Sequence, residues 1–136
     1  MLRPVATRPL LLALATCALA GCGEDRPSDE QQIRSTLAEF GRATAARDYR
    51  ALCSRVLAPA LISSVTKAGL TCELALQKGS EGVEDPHLTV GTIAVAGDSA
   101  TAEVRTSAAG QAPSQDTLEL VRLGDGWRIA SLESGS

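Results

Sequence analysis

The sequence predicts an α+β domain, with helices first and an antiparallel sheet second, the helices packed on one face of the sheet. Three observations predict it. Up to Gly79 the apolar residues recur at helical spacing, and each run opens with a helix-start signal. From His87 onward the spacing becomes strand-like alternation. Two glycine–aspartate turns, Gly97-Asp98 and Gly124-Asp125-Gly126, suit two-stranded antiparallel hairpins.

The elements follow in order. Ser28 with Gln31 resembles a capping box, and Asp29 and Glu30 sit in the first turn, where the helix dipole favours negative charge. Ile33, Leu37 and Phe40, with Thr44 below them, share one face of a helix over residues 29–46, while Arg34, Glu39, Arg42 and Arg47 lie mostly off it. That long helix is expected to cover the sheet. Asp48 caps a second, shorter helix to about Leu57, with Leu52 and Val56 on its apolar side and Cys53 beside them. Pro59 suits the first turn of a third helix, whose inner face is Leu61, Ile62 and Val65 and which Gly69 ends. Thr71 caps a fourth, with Lys78 in its last turn and Gly79 just beyond. After a polar loop over residues 81–86, Leu88 to Ile93, Ala100 to Arg105, Thr117 to Leu123 and Trp127 to Leu132 read as four strands, and Gly91 marks a bend in the first.

The start of the chain reads as a processing segment. Arg3 and Arg8 form a positive region with no acid before Glu24, and Leu10–Leu19 is an apolar run too short to span a bilayer core. Two cut sites compete. Ala18-Leu19-Ala20 fits an ordinary signal peptidase. Leu19-Ala20-Gly21-Cys22 resembles the lipobox of bacterial lipoproteins, in which a cysteine thiolate is alkylated by diacylglycerol and a dedicated peptidase cuts before it. The second reading is favoured: residues 1–21 a lipoprotein signal peptide, residues 22–27 the lipidated Cys22 and a short polar tether, residues 28–133 the domain. It predicts an extracytoplasmic protein, lipid-anchored to the cell membrane.

The cysteines agree with it. Cys17 leaves with the leader, Cys22 takes the lipid, and Cys53 and Cys72 remain as a pair in an oxidising compartment. A disulfide there closes a loop of about 20 residues and contributes roughly 3 kcal/mol; two buried free thiols are the alternative. Losing the leader removes two arginines and no acids, so the formal charge moves from −3 to −5. A mildly acidic chain is a poor partner for nucleic acid or for anionic lipid headgroups, so attachment falls to acyl chains.

Two stretches carry a resemblance. Phe40-x-x-Ala43-x-x-Ala46-Arg47-Asp48-Tyr49 looks like the end of helix one, and Gly124-Asp125-Gly126-Trp127-Arg128-Ile129 like the closing hairpin, of the nuclear-transport-factor-2-like superfamily. This is the cone-shaped fold shared with ketosteroid isomerases and polyketide cyclases. Within it the chain resembles a group of actinobacterial lipoproteins with a short cysteine-containing helical insert. The resemblance covers most of residues 28–133. It departs in strand count, since members often show more than four, and a short strand in the region of the third or fourth helix would restore the number. The architecture hosts enzymes, binders and interaction domains alike, so it transfers no activity. It also implies that a homodimer through the open sheet face is an option.

Candidates for chemistry are few. His87, the only histidine, has Asp85 two residues before it, a general-base pairing if the side chains meet, although a surface histidine at a strand entry is the commoner arrangement. Tyr49 can pack its ring on the sheet or present its hydroxyl to a cavity, and Trp127 can pack or stack on a ligand. Tyr49, His87 and Trp127 are therefore the candidate pocket residues. Arg105 and Arg122 read as solvated strand positions. One histidine and two distant thiols do not make a zinc site, no P-loop or nucleophile elbow occurs, and no cofactor is expected. With three aromatic residues and abundant alanine, the core buries modest area, which leaves the cone either filled by Leu and Val or holding a small apolar pocket. The expected function is a membrane-anchored, non-catalytic binding or interaction module. A small apolar ligand in the cone is the alternative, and an isomerase-like enzyme using Asp85, His87 or Tyr49 ranks last.

Overall fold

The computed structural model describes residues 26–134. The leader, Cys22 and the first part of the tether lie outside the described residues.

Helix α1 spans Asp29–Ala45. Its capping box is complete: the Ser28 hydroxyl accepts from the Gln31 backbone N–H (3.2 Å), and the Gln31 side chain accepts from the Ser28 N–H (2.8 Å). Ile33, Leu37 and Ala43 are fully buried against the sheet. The helix ends in a Schellman arrangement. The Asp48 N–H reaches back to the Ala43 carbonyl (2.8 Å) and the Arg47 N–H to the Thr44 carbonyl (3.1 Å). Arg47 takes the left-handed conformation there (φ 56°), where glycine is the usual occupant.

A helical insert follows. Asp48 caps α2 (Tyr49–Ala51), its carboxylate accepting from the Ala51 N–H at 3.0 Å. The expected single helix then widens into a π-turn over Leu52–Val56, closed by the Leu57 N–H on the Leu52 carbonyl at 2.9 Å. The wider turn lets Leu52, Val56 and Leu57 all reach the core. Leu57 bridges to Ile129 in parallel, and the Ala58 N–H donates to the Ile129 carbonyl (2.8 Å), so the insert covers the outer edge of the sheet. Helix α3 (Pro59–Lys67) starts on its proline, and α4 (Cys72–Gly79) on the Thr71 cap. Gly79 is the last helical residue rather than the first beyond, and Ser80 closes the turn. Both segments are helical, so neither hides a strand. The Cys53–Cys72 disulfide ties the π-turn to the start of α4.

The sheet is an antiparallel meander in the order β1-β2-β3-β4: His87–Ala96, Ser99–Ser107, Ser114–Leu123 and Gly126–Ser134. The bend expected at Gly91 is a bulge, with the register shifting between Val90 and Ile93. A Cβ on Gly91 would lie 3.2 Å from the Glu103 carbonyl oxygen, which accounts for the glycine. A second shift falls between Glu119 and Leu120. Ala100, Ala102 and Val104 on β2, Leu118 and Leu120 on β3, and Trp127 and Ile129 on β4 are buried under α1 and the insert. The fold is the predicted α+β architecture: among the described residues, four helices and a four-stranded antiparallel sheet, with α1 packed on the sheet and the insert along the β4 edge.

Candidate functional site

The core closes at one end of the sheet and opens at the other. At the open end the last turns of α1, the start of β1 and the end of β2 enclose a groove of about 260 Å³. Phe40, Gly41 and Thr44 come from α1, Pro86, His87 and Leu88 from the entry to β1, and Thr106, Ser107 and Ala108 from the end of β2. Gly41 makes the opening: a Cβ there would stand 3.5 Å from the Leu88 Cβ, and no larger group fills the space. A smaller hollow of about 140 Å³ continues along the concave sheet face past Val104, Asp116, Leu118 and Leu132, sharing Phe40, Leu88 and Thr106 with the first. Leu132 is 47% exposed there, in contrast to the sealed core below it.

Two loops form the lips and brace each other. The Ala109 N–H donates to the Glu84 carbonyl (2.8 Å), and the Gln111 amide to the Gly82 carbonyl (3.5 Å). Arg47 reaches the same loop, donating to the Val83 carbonyl (3.2 Å) and pairing with Glu84 (3.3 Å). Asp85 is in the left-handed region (φ 48°), so both non-glycine residues of positive φ among the described residues, Arg47 and Asp85, stand at this mouth. The Thr44 hydroxyl is buried and has no hydrogen-bond partner. On the sheet side, Asp116 accepts from the Thr106 hydroxyl (3.1 Å) and the Ser114 hydroxyl (2.8 Å).

The candidate residues separate. His87 lines the groove, and its Nε2 lies 3.3 Å from Asp85 Oδ1, so the two side chains do meet. Both are open to water, however, at 68% and 77% exposed. Tyr49 packs as a half-buried residue against the core, and Trp127 is buried within it at 3% exposure; neither lines the groove. The three therefore do not share a cavity. Among the described residues no group of three or more His, Cys, Asp or Glu side chains could hold a metal ion.

Arg122 departs from its expected role as a solvated strand residue. Its guanidinium makes a two-pronged contact with the Asp29 carboxylate (2.7 Å on each prong), meets Asp98 (3.2 Å), and lies 4.8 Å over the Trp127 ring. The Arg122 guanidinium holds the Asp29 carboxyl below the usual carboxylate range, with the Trp127 indole N–H adding to it against a smaller desolvation effect than that of Arg122. Glu39 is likewise held down by Arg42 first and Arg55 second. The Asp29 cluster sits at the first turn of α1, remote from the groove. It clasps the helix to the β3–β4 hairpin. The groove walls at Thr106, Ser114 and Asp116 gave no sequence signal, because a short polar residue on a strand looks the same whether it faces a hollow or bulk water.

No protein-family model matches the chain, and no curated protein matches it. Solved structures do. The Kfla4162 protein of Kribbella flavida is similar at 21% identity, TM-score 0.58, over 78% of this chain and 88% of that one. A nuclear-transport-factor-2-like protein of unknown function from Shewanella baltica is similar at 10% identity, TM-score 0.57, over 79% and 94%. Another from Silicibacter pomeroyi gives 18% identity, TM-score 0.54, over 74% and 89%. At these identities the likeness establishes the fold alone, and that fold is the nuclear-transport-factor-2-like one.

Proposed function

We propose that this chain is a non-catalytic binding domain of the cell envelope, tethered through lipid on Cys22, which takes a small and largely apolar ligand in the groove between α1 and the open end of the sheet. The observation that carries the reading is the groove itself, a hollow walled by Phe40, Leu88, Val83 and Pro86 at the only end of α1 where a glycine replaces a side chain. Its volume lies just under the roughly 300–1,000 Å³ of sites for drug-sized molecules, so the ligand is smaller than those. No Asp, Glu, His, Lys or Arg is a buried residue among those described, which favours binding over acid–base catalysis, since a tuned base needs desolvation. The anchor rests on the sequence: Leu19-Ala20-Gly21-Cys22 behind a charged and then apolar leader.

Gly41→Leu tests the groove. The added side chain fills the hollow, while its Cβ makes only ordinary contact with Leu88. The variant is expected to melt at or above the wild-type temperature and to lose the thermal upshift that apolar small molecules give the wild type. If no small apolar compound shifts the wild-type melt, or if the variant binds as well, the groove is not the site. Mass spectrometry of the mature N-terminus tests the anchor, and a peptide beginning with unmodified Gly21 would remove it.

A further inference from the structure

The two hollows of the open end form a track, and its shape narrows the ligand class. The smaller one draws on every strand of the sheet: Leu88 from β1, Thr106 and Val104 from β2, Leu118 from β3 and Leu132 from β4, with Phe40 of α1 bordering it. Cross-strand pairing fixes this order. Leu88 stands opposite Thr106, and Leu118 opposite Leu132, so the members of each pair share one face of the sheet. Neighbouring strands lie about 4.8 Å apart, so three spacings carry the track roughly 14 Å across the sheet. A volume of about 140 Å³ spread over that length is narrow. The larger groove joins it at Phe40, Leu88 and Thr106. The polar side chains along the way bond one another: the Thr106 hydroxyl meets Ser114 (2.7 Å) and Asp116 (3.1 Å), and Ser114 donates to Asp116 (2.8 Å). Val104 and Leu118 are buried, whereas Leu132 at the β4 end is nearly half exposed. A leucine left open to water at the end of an apolar track gains most from a ligand that runs the whole length.

From this we infer that groove and track together take a single unbranched alkyl chain, laid across the four strands from the α1 mouth towards Leu132. A flexible chain bends past Phe40, and each further methylene covers more of the apolar surface. A rigid ring of the same carbon number fills the larger groove and leaves Leu132 in water. This rests on the groove being a ligand site and adds the shape of the ligand.

Straight-chain alcohols from 1-butanol to 1-decanol, with cyclooctanol beside 1-octanol, test the shape when titrated into the full chain and read by amide chemical shifts. Binding is expected to tighten about two- to fourfold per methylene, fourfold being the full value of a buried methylene. 1-Octanol is expected to bind roughly tenfold tighter than cyclooctanol, which covers less of the track. The amides of Leu118 and Leu132 are expected to shift with 1-decanol and not with 1-butanol. Leu132→Gln is expected to weaken 1-decanol severalfold and leave 1-butanol unchanged. A loss of both alcohols in that variant marks misfolding, and the wild-type shifts at Leu118 and Leu132 then decide. Octyl glucoside separates the sources of such a chain: binding as tight as that of 1-octanol assigns the site to chains carried on a bulky head, as in a lipid, and its loss assigns the site to free chains. Cyclooctanol binding as tightly as 1-octanol, or a flat alcohol series, overturns the chain and leaves the groove standing. No binding by any alcohol overturns the groove as well.

Discussion

Arg122 grips Asp29 across 93 residues of sequence with two parallel bonds of 2.7 Å, so the first residue of α1 is fastened to the last residues of β3. The same guanidinium covers the Trp127 ring. The contact fixes the angle at which α1 enters the sheet.

Acid titration reports this pair. The carboxyl of Asp29 has a folded pKa below its unfolded value, so the stability it lends is fully present above the unfolded carboxylate range, near pH 4, and is lost as pH falls through the folded value. Melting curves from pH 6 to pH 2 are expected to drop more steeply for the wild type than for Asp29→Asn, with Arg122→Met matching the asparagine variant. Both side chains are about a third exposed, so the difference is expected to shrink in 1 M salt. Parallel curves for wild type and Asp29→Asn would show that the pair carries no linkage.

Reduction of the Cys53–Cys72 disulfide is expected to cost about 3 kcal/mol, because the bridge closes a span of 19 residues in the unfolded chain. For a domain near 100 residues that is a fall of roughly 10–20 °C in Tm. Thermal melts with and without reductant, or of Cys53→Ser with Cys72→Ser, measure it. A shift of a degree or two would mean that the insert holds its place by packing alone.

Thr44→Val is expected to stabilise the domain. The hydroxyl is buried without a partner, and valine replaces it with a methyl of the same shape. Removing a desolvated, unbonded hydroxyl recovers about 1 kcal/mol. Urea unfolding gives the sign: a higher midpoint with the same slope is the expected result, and a lower one would mean that the hydroxyl is bonded in solution.

Two glycines are expected to respond with opposite sign to alanine. Gly41→Ala removes a glycine from a helix interior and meets only ordinary contact at Leu88, a gain of about 1 kcal/mol. Gly91→Ala pushes a methyl to 3.2 Å from a backbone carbonyl held in the sheet ladder, a loss of about 1 kcal/mol or more. Denaturant midpoints of the two variants check the contrast.

What the sequence discloses is mainly local. The Ser28 box, the Asp48 and Thr71 caps and the glycine–aspartate hairpins act within four residues, and each stands where its pattern places it. The disulfide is legible because the leader reading of the first 22 residues leaves Cys53 and Cys72 as an even pair. The π-turn at Leu52–Val56 is not, since it depends on three side chains all finding the core at once. Nor is the shift between Glu119 and Leu120, which has no glycine to announce it. Arg122 reads as a surface charge because its partner lies on another element, and the choice between packing and ligand stacking for Trp127 stays open until the neighbours that bury it are known. The groove is least legible of all, since a hollow is defined by atoms that are missing between distant segments.

Helix α1 acts as a strut with different business at its two tips. Its 17 residues measure about 25 Å, with the chain arriving from the N-terminal side at Asp29 and the mouth beside Phe40 and Thr44 near the far tip. Whatever restrains the arriving chain therefore pulls on the opposite pole from the opening. Under the tether proposed at Cys22, the aperture would face away from the holding surface, and a ligand would enter it from the bulk fluid.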